Sequence, residues 1–125
     1  MPSPRLTSLT LIAATVLIGI ESGNAADVPT FSKVIGPMLE NHCSSCHGPK
    51  RQKNDLRLDS AEAIQKGGKN GPVFVAGNPD KSPIYHRTTL PNGDADRMPA
   101  RGEMLTKAET DAIKAWITAG AKFDK

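Results

Sequence analysis

The stretch "ENHCSSCHGPK", residues 40–50, holds both cysteines and two of the three histidines of the chain. Within it, Cys43, Ser44, Ser45, Cys46 and His47 spell C-x-x-C-H, the signature for covalent haem attachment. The chemistry explains the spacing. Two thiols each form a thioether with a haem vinyl group, and the next residue then lies beneath the iron. His47 is thus the expected proximal ligand, through an imidazole nitrogen.

Other readings of the cysteine pair fit less well. A thioredoxin-like redox C-x-x-C expects a βαβ context, which is missing. A structural zinc site needs a second ligand pair, and His42, Cys43, Cys46 and His47 sit too close in sequence to wrap a tetrahedron. A plain disulfide suits an exported protein, but leaves the histidine after the second cysteine unexplained.

Working outward, the first 25 residues read as a secretory signal peptide. Arg5 is the only early positive charge, an apolar run from Leu9 to Ile20 follows, and Gly23-Asn24-Ala25 offers a small-x-Ala cleavage site. The run is short for a bilayer span, which needs about 20 apolar residues. An uncleaved segment would anchor the protein, and nothing later in the sequence could cross a membrane. Residues 26–125 then form one domain in the periplasm. Covalent haem attachment itself demands export, so the two features agree.

The net charge is +3. Arg5 and Glu21 cancel, so removal of the signal leaves it unchanged. This mild basicity is far from a nucleic-acid-binding profile. Lys50, Arg51, Lys53 and Arg57 cluster just after the haem motif, as a solvated loop or as a rim that steers acidic redox partners. Aromatic residues are few: Phe31, Phe74, Tyr85, Trp116 and Phe123. A domain of this size is marginal on its own core and often recruits a metal or cofactor.

The remaining pattern is helical. Phe31, Val34, Ile35, Met38, Leu39 and His42 share one helical face, with Pro37 placed to kink or restart the helix. Asp59-Ser-Ala-Glu62 reads as a capping box that opens a short helix through Lys66, stopped by Gly67-Gly68. Pro79 or Pro83 begins a third helix to about Thr88. Thr106-Lys-Ala-Glu109 is a second capping box, ahead of Ala112, Ile113, Trp116 and Ile117, and Gly120 ends that helix. Val73-Phe74-Val75 is the only strand-like pattern. The result is an all-α domain of four or five short helices whose long loops need a cofactor to organise them.

A sixth iron ligand must come from a distant segment. The candidates are Met98, Met104, His86, Met38 and His42. Met38 and His42 lie on the proximal helix and read as a core methionine and a helix-end histidine. Met98 lies in "DADRMPARGEM", residues 94–104, where a methionine has little packing reason to be. Pro99 stiffens the backbone beside it. Met98 is therefore the favoured ligand; His86, Met104 and an open site stay as alternatives. Two strong axial ligands leave the iron able only to exchange electrons, and Met/His ligation raises its potential. An open iron would point to a haem enzyme or ligand sensor.

Four stretches together resemble the planctomycete-type cytochrome c domain, a relative of the class I cytochromes c. They are "FSKVIGPMLENHCSSCHGP", "LRLDSAEAIQKGG", "GPVFVAGNPDKSPIYHRTTL" and "MPARGEMLTKAETDAIKAWITAGAKF", and they cover most of residues 31–123. The resemblance implies a small class I cytochrome c-like fold around one covalent haem c. Cys43 and Cys46 would be the thioether sites, and His47 and Met98 the axial ligands. It also implies that the first and last helices cross, with Trp116 and Ile117 on the Phe31/Ile35 face. Gly71-Pro72 is similar to the Gly-Pro segment of class I cytochromes, where the Pro72 carbonyl would accept a hydrogen bond from His47. Ala100 departs from the family, which often has proline there, so the ligand loop is expected to be slightly looser. The function so implied is that of a one-electron carrier without a catalytic site. A permanently bound electron-entry subunit of a partner oxidoreductase is the variant of that reading. A chain that closes with its haem domain suits the free carrier.

Overall fold

Proline cannot donate to a helical ladder, and the first helix is built around that fact. The computed structural model describes residues 2–4 and 27–125; the expected signal segment lies outside them, apart from residues 2–4. Phe31–Ile35 forms a wide π-helical turn, and a regular helix, α1, follows over Gly36–Cys43 with Pro37 in its first turn. Proline is tolerated there because the first helical N–H groups have no partner in any case. The wide turn also trims the expected face. Phe31, Ile35 and Leu39 are buried, Met38 packs beside them, and Val34 is exposed.

Helix α2 spans Ala61–Lys66, and its cap is Ser60, whose hydroxyl accepts the Ala63 N–H. The expected cap at Asp59 is corrected by one residue for a clear reason. The Asp59 carboxylate is taken by Arg57, with bonds of 2.9 and 2.7 Å. Helix α3 runs Pro83–Thr89, while Pro79 opens a separate 3-10 turn, Pro79–Lys81. Ser82 joins the two. It is fully buried, and its hydroxyl donates to the Asn78 carbonyl and accepts the Val75 N–H, both at 2.8 Å.

Helix α4, Lys107–Thr118, begins with the complete reciprocal capping box expected of Thr106 and Glu109. It buries Thr110, Ile113, Trp116 and Ile117, one stripe at helical spacing. Trp116 sits 5.9 Å from Phe31, 5.7 Å from Phe74 and 5.2 Å from Phe123, ring centre to ring centre. Its indole N–H donates to the Lys122 carbonyl at 2.9 Å, so the tail folds back over the ring. Ser32 then holds Asp124 through both its backbone N–H and its hydroxyl.

The described residues contain no strand; Val73-Phe74-Val75 is extended loop, held by Ile84 N–H on the Val73 carbonyl at 2.8 Å. The domain is therefore all-α, with its first and last helices joined through aromatic packing and its middle loops gathered around them.

Candidate haem site

Helix α1 delivers Cys43 at its last residue, and a tight turn carries the chain through Cys46 to His47. The Cys46 and His47 N–H groups both donate to the Cys43 carbonyl, at 3.2 and 2.8 Å. The turn demands glycine next. A β-carbon on Gly48 would meet the Ser44 carbonyl oxygen at 2.2 Å.

The chain then folds back on itself. Gly48 N–H donates to Arg51 O at 2.8 Å, Lys53 N–H to Cys46 O at 3.0 Å, and Leu58 N–H to His47 O at 2.8 Å. This loop brings the Lys53 carbonyl to 3.0 Å from His47 Nδ1. A carbonyl only accepts, so Nδ1 carries the proton and Nε2 keeps its lone pair. The acceptor facing His47 here is Lys53, where Pro72 had been expected. The back-fold places a nearer carbonyl on the ring, and Pro72 serves as cavity wall.

His47, Cys43 and Cys46 all line one cavity of about 280 Å³. Leu56, Leu58, Val73 and Ile84 supply apolar wall, and Met98 and Pro99 enter from the 94–104 loop. Met98 is fixed to α3, because its N–H donates to the Arg87 carbonyl at 2.9 Å. The rival ligands are placed elsewhere. His86 is exposed, and His86, Met104 and Met38 do not line the cavity. His42 does, but its Nε2 lies 3.0 Å from Glu109 Oε1.

The donor set fits a covalently held haem. Neither cysteine is bonded to another residue. Burial, and after it the neighbouring Cys46, pushes the Cys43 thiol up to about 11. That is opposite to the depressed value of thioredoxin-type chemistry. Among the described residues no three His, Cys, Asp or Glu side chains are placed to hold a metal ion by themselves.

Charge on the cavity wall has a single sign. Among the described residues Arg51, Lys53, Lys69, Arg87 and Arg101 line it, and no carboxylate does. Arg57, the last cation of the cluster after the haem motif, is instead committed to Asp59. Arg97, beside Met98, is buried with its Nη1 lacking any partner.

Two cysteines and a histidine on one turn, a methionine from a distant loop and a shared apolar cavity are the parts that a c-type cytochrome requires. Residues 43–102 match the family model described as Planctomycete cytochrome C. The match begins at the first cysteine and takes in Met98. No curated protein and no solved structure gave a match. Among the described residues no helix is long and apolar enough to cross a membrane.

Sequence reasoning missed three features here: the Lys53 acceptor, the Arg87–Met98 tie and the His42–Glu109 contact. Glu109 carried a partial signal, because a capping-box glutamate has a second carboxylate oxygen left over.

Proposed function

We propose that the protein is an exported mono-haem electron carrier, with His47 and Met98 as the axial ligands of a haem held by Cys43 and Cys46. The observation that supports it is the convergence of His47, both thiols and Met98 on one cavity wall. Haem, when bound, supplies the one-electron couple. The chain's own residues do the rest. Cys43 and Cys46 hold the group by thioethers, and His47 presents Nε2 while its Nδ1–H is tied to Lys53. Met98 presents a thioether from a loop whose backbone is pinned to α3. Leu56, Leu58, Val73 and Ile84 exclude water. A haem held by both His47 and Met98 would have no position left for a substrate, and the protein would pass electrons without a catalytic step.

The cationic residues on the cavity wall have two uses in this reading. They offset the propionate charges, and they present a positive face to an acidic redox partner. Residues 1–25 act as the export signal, which places the carrier in the periplasm.

One optical experiment tests the assignment. The oxidised protein shows the weak red-edge charge-transfer band of sulfur–iron ligation, and Met98→Ala abolishes it. Ready carbon monoxide binding by the reduced wild-type protein would instead favour an open-site haem enzyme or sensor.

A further inference from the structure

Asn54 and Asp55 are consecutive non-glycine residues with left-handed backbone, at φ 58° and 54°. Few side-chain-bearing residues other than asparagine and aspartate adopt such conformations readily. Here they follow directly after Lys53, whose carbonyl accepts the His47 Nδ1–H at 3.0 Å. The turn is clamped from a second loop. The Lys69 N–H donates to the Asn54 carbonyl at 2.8 Å. Gly68 allows that approach, since a β-carbon there would meet Asn54 O at 2.8 Å and Leu56 Cβ at 2.9 Å. The Lys53 N–H is held in turn by Cys46 O at 3.0 Å. The carbonyl facing the imidazole is thus fixed from both sides by backbone hydrogen bonds.

We propose that Asn54 is a positioning residue for the proximal histidine: its left-handed turn, clamped by the 68–69 backbone, holds the Lys53 carbonyl on His47 and so sets the reduction potential of the bound haem. The proposal rests on His47 being the proximal ligand. A carbonyl on Nδ1–H makes the imidazole a stronger donor at Nε2, which favours ferric over ferrous iron. Loosening the turn therefore raises the potential. Asparagine is among the few non-glycine residues that adopt this backbone readily, and a β-branched residue does so worst.

The test uses the full haem-loaded protein and two readouts, the midpoint potential and the NMR resonance of the His47 Nδ1 proton. Asn54→Val and Gly68→Ala are expected to raise the potential and to move that resonance upfield. A tenfold weaker preference for ferric iron corresponds to about 59 mV for a one-electron couple. Asn54→Gly, which keeps the left-handed turn, retains wild-type values in both. The proposal is overturned if Asn54→Val keeps the wild-type potential and resonance, or if Asn54→Gly shifts as far as Asn54→Val. Should Asn54→Val fail to accumulate, Gly68→Ala decides by the same two readouts. Failure of the carrier reading looks different, as carbon monoxide binding by the wild type, and leaves the proton resonance still measurable.

Discussion

Nε2 of His42 lies 3.0 Å from Oε1 of Glu109, while the other oxygen of the same carboxylate accepts the Thr106 N–H at 2.8 Å. One side chain thereby caps the last helix and ties it to the end of the first, one residue before Cys43. The backbone bond from Thr106, and after it the His42 contact, hold the Glu109 carboxyl below its ordinary value.

A lowered folded-state value means that the charged form stabilises the fold. The contribution is complete above the unfolded value, near pH 4.5, and is lost as pH falls through the folded one. Glu109→Gln should therefore flatten the acid limb of the stability curve relative to wild type. Asp59 and Asp124, both also lowered, keep the rest of that slope. Thermal unfolding of both proteins from neutral to acid pH measures the difference. Thr106→Ala should cost about 1 kcal/mol through the lost cap.

Trp116 is the centre of the aromatic cluster and is nearly fully buried. Trp116→Ala should destabilise by about 3–5 kcal/mol, a large share of the stability expected for a small domain. Trp116→Phe keeps a ring but loses the bond to the Lys122 carbonyl, and should cost less. Denaturant titration of the haem-loaded protein ranks the two.

Gly48→Ala forces a β-carbon onto the Ser44 carbonyl. The obstacle is backbone, so the Cys46–His47 turn must open. The cost should reach at least the roughly 1–3 kcal/mol of an overpacked site. The fraction of chains carrying haem, read from a haem-stained gel, should fall along with the unfolding temperature.

His86→Ala should leave the visible spectrum and the carbon monoxide response unchanged, because His86 is exposed and does not line the cavity. Met98→Ala should change both. Spectra of the two variants side by side decide between methionine and histidine as the sixth ligand.

Reversing charge at the cavity wall, as Lys69→Glu and Arg101→Glu, should slow electron transfer to an acidic partner. The deficit should shrink as salt rises, since exposed charges are screened over about 10 Å at 0.1 M. Stopped-flow rates across a salt series give the slope, and a slope unaffected by both reversals would argue against an acidic partner.

Much of the molecule was legible from local pattern. The Thr106–Glu109 box and the stop at Gly67 each depend on a few adjacent residues, and each stands where expected. The isolated position of Met98 among polar residues brought it forward as a ligand, and the structure places it in the cavity with His47. What stayed hidden depends on contacts distant in sequence. Ser60 displaces Asp59 as a cap because Arg57 competes for the carboxylate. Lys53 displaces Pro72 because two left-handed residues fold the loop back. Neither residue type announces the competition, and only the assembled loops resolve it.

The bond from Ser32 to Asp124 brings the start of the first helix and the stretch after the last one to one place. Modules whose ends leave side by side can be strung in tandem, inserted into a surface turn of a larger protein, or circularly permuted with little disturbance to the fold. A short linker joining residue 125 to residue 27, with new ends cut elsewhere on the surface, should still yield a haem-carrying chain. In engineering terms, such a cassette, if it holds one haem as proposed, would be wired in series, each copy adding one redox centre to a chain of them.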